Sequence, residues 1–426
     1  MRIILLLLSV LTVSAQDIYI HAGQIYDTES GKLSSEKTII ISDNKIKSIE
    51  NGYKEASEDD IKIYDLKSKV VLPGLIDFHV HMESQSGGQD RYVRRFQDNK
   101  ADVAFKSSVI AKKTLMSGFT TVRDVGGSGV NISLRNAINN GVIPGPRIFT
   151  SGKTIATTGG HGDRTNGFRE DLVNDPGPEQ GVVNSIADAR KAVRYRYKNG
   201  ADLIKITATG GVLSVAKNSK NPQFTEEEII AIVETAQDYD MHVAAHAHGP
   251  EGMKRAIRAG VHSIEHGTIM DGEVLALMKK HGTYYIPTIS AGMFVAEKAK
   301  QKGYYPQIIV PKALEIGPRL LNTFTTAYKF GIKIAFGTDS GVSYHGDNAK
   351  EFFYMVKGGM SEMEAIRSAT VIASEMLDIN DKLGSIESGK LADIIAVKGN
   401  PIKDITFLQE VVFVMKEGKI YKSNID

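Results

Sequence analysis

The chain contains no cysteine. That excludes a disulfide framework, a thiolate metal site and lipid attachment through a thiol. Any metal must therefore be held by histidine, by carboxylates or by a less usual ligand. Charge of one sign is missing too: 52 Lys and Arg stand against 50 Asp and Glu, a net charge of +2. Without a basic patch or a long charged run there is no electrostatic footprint for nucleic acid, which leaves small-molecule or peptide chemistry. There is no low-complexity tract and no sequence-level repeat. The apolar run at the N-terminus, Ile3 to Val13, is too short to span a bilayer.

That run follows Arg2 and leads into Val13-Ser14-Ala15, the small-residue pattern of a cleavage site. It predicts a removable signal over residues 1–15, a mature chain from Gln16, a periplasmic or secreted protein, and no membrane insertion once the signal is gone. With 426 residues, 42% of them hydrophobic, the chain can bury a large core, enough for one big domain and an annex.

Residues 16–71 and 381–426 alternate apolar and polar side chains between Gly, Asn and Asp turns, as in "KTIIISDNKIKSIE" and "VVFVMKEGKIYK". This predicts short antiparallel strands from both chain ends, paired into one small β-sandwich domain. Residues 72–380 have another rhythm. Eight short apolar strand candidates, "GLIDFHVH", "FTTVRDVG", "PRIFTSGKTI", "ADLIKITATGG", "MHVAAHAHG", "VHSIEHG", "TYYIPTIS" and "IKIAFGTDSG", alternate with helical segments. Thr225 and Glu228 form a capping box before the stripe Ile229, Ile232, Val233 and Ala236. The expected fold is α/β, a (β/α)8 TIM barrel with the composite β domain.

In such a barrel the reacting groups stand at the C-terminal ends of the strands. Those ends carry His79 and His81, Lys205, His246, His266 and Asp339, from five different strands. His79 and His81 are two apart, so on a strand both imidazoles approach one point. Two neighbouring cations need an anionic bridge, and a protonated lysine has no lone pair to offer. Lys205 lies among Leu203, Ile204, Ile206 and Thr207, where burial favours the neutral amine. A neutral amine can add carbon dioxide, and the resulting carbamate is a two-oxygen anion.

Taken together, "PGLIDFHVH", "LIKITATGG", "HVAAHAHG", "SIEHG", "GTDSG" and the closing "GSIESGKLADIIAV" resemble the metal-dependent amidohydrolase superfamily, in its imidazolonepropionase-like and Xaa-Pro dipeptidase (prolidase) branch. The resemblance covers nearly the whole mature chain. It implies an exported binuclear hydrolase that cleaves an amide or peptide bond of a small substrate, such as an Xaa-Pro dipeptide or an N-acyl amino acid. His79 and His81 would hold the more buried of two divalent ions, of the zinc type, and His246 and His266 the more exposed one. Carboxylated Lys205 would bridge them, with water activated between the ions attacking the carbonyl. Asp339 would be both ligand and general base.

His161, in the Gly-rich "TTGGHGD", would bind the substrate carbonyl or carboxylate. His248 lies two residues beyond His246, so spacing leaves the ligand open between them; the family pattern favours His246 and gives His248 to substrate. Some dipeptidase relatives carry Tyr at that position, a departure that counts against a proline dipeptide. Arg123 and Asp124 are expected either behind the ligands or as an ion pair with each other; His242, His262 and His281 read as structural or solvent-facing. The rival readings are a mononuclear cyclic-amide hydrolase, imidazolonepropionase-like, and a barrel that binds without catalysis. A bridging lysine separates the first, and an intact ligand set the second. Relatives of this branch are often homo-oligomers, and the same is expected here.

Overall fold

The computed structural model describes residues 17–56 and 61–424; the expected signal, residues 1–15, lies outside them. Four strands open the chain: β1 (Ile18–Asp27), β2 (Lys32–Ser42), β3 (Lys45–Asn51) and β4 (Lys62–Pro73). Seven short ones follow between helices: β5 (Leu75–Val80), β6 (Phe119–Asp124), β7 (Arg147–Thr150), β8 (Ile204–Thr207), β9 (Val243–Ala247), β10 (Ser263–His266) and β11 (Tyr284–Ile286). Three close the chain: β12 (Ile394–Val397), β13 (Val411–Lys416) and β14 (Lys419–Ser423).

The first four and last three strands form one seven-stranded sheet in the order β14-β13-β12-β4-β1-β2-β3. Alternation predicts antiparallel neighbours throughout, and one pair differs: β1 and β4 run parallel. The β2–β3 hairpin supplies the crossover that a parallel pair requires. The turn between β2 and β3 reaches back to the residues before β12, with Ile46 N donating to Lys390 O at 2.9 Å and Ala392 N to Asn44 O at 2.9 Å. Ile20, Ile39, Ile41, Ile394 and Phe413 fill the core this sheet encloses.

The middle seven strands make two parallel sheets, β5-β6-β7 and β8-β9-β10-β11. Five of these strands, β5, β6, β8, β9 and β10, are buried on both faces, which is why they read as short, nearly continuous apolar runs. Single bridges join the sheets on either side. Beyond β7, Ile155 N donates to Lys205 O at 2.8 Å and Thr207 N to Ile155 O at 3.1 Å. The expected eighth strand, "IKIAFGTDSG", is an extended segment between β11 and β5 without a regular ladder. Ala335 N donates to Tyr285 O at 3.1 Å, Phe78 N to Phe336 O at 2.9 Å and Asp339 N to His79 O at 2.7 Å. Gly337 permits the close approach: a Cβ there would lie 2.3 Å from Ile286 Cγ2.

The helix Glu226–Gln237 starts at the expected capping box. Thr225 Oγ1 accepts from Glu228 N at 3.3 Å, and Thr225 N donates to Glu228 Oε2 at 2.9 Å. Ile229, Ile232, Val233 and Ala236 are its buried stripe, and loss of such a cap costs about 1 kcal/mol. Two helices, Ile289–Ala299 and the longer Val310–Phe330, follow β11. Among the described residues no helix is long and apolar enough to cross a membrane.

Candidate active site

The C-terminal ends of β5, β8, β9 and β10 and the extended segment ending at Asp339 converge, and they bring the sequence-predicted residues into one buried cluster. His79 and His81 lie edge to face with ring centroids 5.4 Å apart, and His266 sits 4.9 Å from His79. His246 is 4.6 Å from His266, His248 is 4.6 Å from His246, and His161 stacks on His246 at 4.5 Å. Two of the predicted residues, His266 (φ 68°) and Asp339 (φ 54°), adopt left-handed backbone conformations. For residues with a Cβ this is costly and persists where surrounding structure fixes it.

His79, His81 and Asp339 each place one ligand atom within 4.8 Å of the others. The second nitrogen of each histidine decides what faces the carboxylate. His79 Nδ1 is 2.7 Å from Glu265 Oε2, and His81 Nδ1 is 2.8 Å from Gly126 O. Both partners are acceptors, so both Nδ1 atoms donate, and each neutral ring keeps its lone pair on Nε2. Those Nε2 atoms lie 3.7 Å and 3.3 Å from Asp339 Oδ1. Asp339 Oδ1 is itself buried and has no hydrogen-bond partner among the described residues. Three acceptors facing one point call for a positive charge between them, either a proton or a divalent cation. The shift at His81 shows the same demand: burial opposes its charge most strongly, but the Asp339 carboxylate, with Asp124 and the Gly126 carbonyl, outweighs burial and raises its pKa.

The other histidines of the cluster are held neutral. Burial pushes His79, His246 and His266 well below the usual range, assisted by neighbouring imidazoles and Lys205. Burial takes His161 and His248 down to about 3. His246 Nε2 donates to Gly210 O at 3.1 Å, which leaves Nδ1 free; His266 Nδ1 pairs with Thr288 Oγ1 and His248 Nδ1 with Thr268 Oγ1, both at 2.7 Å. His161 Nδ1 is buried without a hydrogen-bond partner among the described residues. Lys205 is 4% exposed, and burial lowers its pKa to about 8 against the opposing pull of Glu265 and Asp339.

Over residues 70–421 the chain matches the amidohydrolase family. The chain belongs to that family. A crystal structure of a Xaa-Pro dipeptidase with methionine bound in its active site shares 54% sequence identity and superposes with a TM-score of 0.92, covering 96% of this chain and 100% of that one. A crystal structure of a prolidase complexed with N-methylphosphonate-L-proline gives a TM-score of 0.85 at 30% identity, covering 96% and 100%. Ochratoxinase of Aspergillus niger is 34% identical over 374 residues, 83% of this chain and 76% of the relative. The amidohydrolase described here is thus a hydrolase of carbon–nitrogen bonds.

Several residues of this amidohydrolase site were not legible in the sequence. Glu265 is fully buried between His79 and Arg123, whose Nη2 donates to Glu265 Oε1 at 2.7 Å. Arg123 therefore pairs with Glu265 and not with Asp124. Asp124 instead accepts from Met82 N, Gly126 N and Asn131 Nδ2, bracing the backbone around His81. Neighbours on a strand point to opposite faces, so Arg123 and Asp124 cannot meet. Asp77 accepts from His79 N, Thr338 and Asn348, and burial raises its pKa to about 6. Lys312 donates to Gly211 O, Ser214 O and Ala216 O, pinning the loop after β8 against His161. His242 and His262 stack at 3.8 Å in contact with Tyr284, outside the cluster.

Proposed function

We propose that this amidohydrolase is exported and hydrolyses an amide or peptide bond of a small acylated amino acid or dipeptide, using two divalent ions of the zinc type bridged by a carbamate on Lys205. The observation that carries the reading is Asp339 Oδ1, buried without a hydrogen bond and faced by two imidazole nitrogens whose partner nitrogens are locked as donors. His79, His81 and Asp339 would hold one ion, His246 and His266 the other. We extend the same proposal to the architecture: the two parallel sheets and the eighth segment form a (β/α)8 barrel, and the terminal sheet folds over as a sandwich.

Bound divalent cations lower the pKa of water and polarise a scissile carbonyl. The chain's own residues would do the rest. Asp339 accepts the proton lost by the attacking water and passes it to the leaving nitrogen. Glu265 and Gly126 O hold His79 and His81 in the tautomer that presents Nε2. Lys205, with its pKa near 8, supplies the neutral amine that takes up carbon dioxide and releases a proton. His161 and His248, neutral and beside His246, face the substrate, with His161 Nδ1 free to pair with it.

Similarity to a Xaa-Pro dipeptidase, a prolidase and an ochratoxinase supports an acyl–amino acid bond as the target. The test is a screen of purified, metal-loaded protein against N-acyl amino acids and Xaa-Pro, Xaa-Arg and Xaa-Lys dipeptides, with elemental analysis of the same sample. Hydrolysis with two metal equivalents is expected. One equivalent, with no gain on adding zinc and activity on cyclic amides alone, overturns the binuclear reading.

A further inference from the structure

Arg196, on the helix Ile186–Lys198, is 3% exposed, and none of the described carboxylates pairs with it. Its guanidinium bonds only to backbone carbonyls: Nε to Lys153 O at 2.8 Å, Nη1 to Pro178 O at 3.2 Å and Nη2 to Thr154 O at 3.4 Å. A guanidinium has five N–H donors, so two remain. A buried cation without a counter-ion is strongly unfavourable. Burial lowers the pKa of Arg196 to about 10.

Arg196 also lines a cavity of about 510 Å³, together with Lys100, Lys153, Ser128 and Tyr195. A second cavity, about 490 Å³, shares Ser128 and Lys153 with it and adds Arg164. Among the described residues Asp175, in the second cavity, is the single carboxylate on either wall. Nearby Glu179 is already paired with Lys191 at 3.6 Å. Lys153 is disfavoured as a cation first by burial, then by Arg196, Arg164 and Lys100, with Glu179 the smallest influence and acting the other way. Both walls also carry apolar side chains, Val130 and Ile132 in one and Val173 and Val182 in the other.

We infer that these joined cavities are a binding site, separate from the histidine cluster, for a small organic anion with a carboxylate or phosphate head. The head sits against the spare N–H groups of Arg196 and the Lys153 ammonium, and the apolar body lies along Val130, Ile132 or Val173. The site neighbours the machinery without belonging to it. Thr154, next to Lys153, donates to Val125 O at 3.4 Å, one residue before the Gly126 carbonyl that orients His81.

The test is calorimetric titration of metal-loaded protein with phenyl phosphate, 3-phenylpropionate and inorganic phosphate, repeated with Lys153→Gln and Arg196→Gln. The two organic anions should bind the wild type, each variant should weaken them about tenfold or more, and His246→Ala should leave that binding unchanged. Lys153→Gln guards against the chance that Arg196→Gln fails to fold, because the Lys153 side chain makes no hydrogen bond among the described residues. Stronger binding of phenyl phosphate than of 3-phenylpropionate identifies a phosphate head; the reverse identifies a carboxylate. Equal affinity of Lys153→Gln and wild type, loss of binding in His246→Ala, or no binding of either organic anion at millimolar concentration overturns the inference.

Discussion

Replacing Glu265 by glutamine changes one atom's chemistry and should disable the site from behind. The carboxylate accepts from three donors: His79 Nδ1 at 2.7 Å, Arg123 Nη2 at 2.7 Å and Ser263 Oγ at 2.5 Å. An amide has one oxygen to share among them, and its NH2 must face a donor. Arg123 has no acceptor to offer. If the NH2 faces His79, that Nδ1 becomes an acceptor and the proton moves to Nε2, the atom aimed at Asp339. Metal affinity should fall about 10–100-fold, the usual effect of removing the partner behind a ligating histidine. Arg123, 2% exposed, also loses its counter-ion, a change that costs on the order of 3–5 kcal/mol when one partner of a buried pair is removed. Elemental analysis after dialysis, turnover and urea denaturation measure the three effects. Ser263→Ala is the control, removing one neutral donor at a cost of about 1 kcal/mol. Wild-type metal content and turnover in Glu265→Gln would refute the tautomer argument.

Lys205→Ala should lose metal and activity together, with partial recovery on adding short carboxylic acids and bicarbonate; full metal content in the variant rules out a bridging carbamate. Asp339→Asn keeps an oxygen toward the ion but cannot take a proton, so turnover should drop about 10²–10⁴-fold or more while metal content falls far less. Metal-free protein should lose stability on acidification from pH 6.5, because His161 and His248 stay neutral in the fold down to about 3 whereas unfolded histidines protonate near 6.5. Asp77 and Glu351, raised by burial to about 6 and about 7, act in the opposite sense over part of that range. Urea midpoints across pH should therefore show a shallower acid slope in His161→Asn and His248→Asn, and an unchanged slope contradicts the assignment. If the first 15 residues are a signal, N-terminal sequencing of exported protein begins at or near Gln16; a mature form starting at Met1 removes that reading.

What could be read from the chain alone followed from local periodicity. His79 and His81 are two apart on a strand, and Lys205 is conspicuous because nothing apolar around it explains a charge. The strand ends of "HVAAHAHG" and "GTDSG" were placed by the alternation of β and α segments. Glu265 was not readable for the same reason the others were. Strict alternation puts it on the face opposite His266, and only the left-handed backbone at His266 lets both serve one site. Arg123 finds its partner 142 residues away, a distance that carries no local signal. Lys312 looks like an ordinary helix lysine until the loop after β8 folds onto it. The expected eighth strand, "IKIAFGTDSG", is instead an extended segment held to β11 and β5 by single backbone bonds, so its alternation did not translate into a regular strand.

The terminal sheet imposes an order on the making of the protein. β4 lies between β1 and β12, and β12 is Ile394–Val397. While the chain is being synthesised, one edge of β4 stays open until the whole middle of the chain has been made and β12 has left the ribosome. An open edge of Val70, Val71 and Leu72 is a template for pairing with another nascent chain. Slow synthesis, or truncation before β12, should therefore produce aggregates. A split between β11 and β12 should yield an N-terminal fragment that stays insoluble unless the piece carrying β12–β14 is supplied with it.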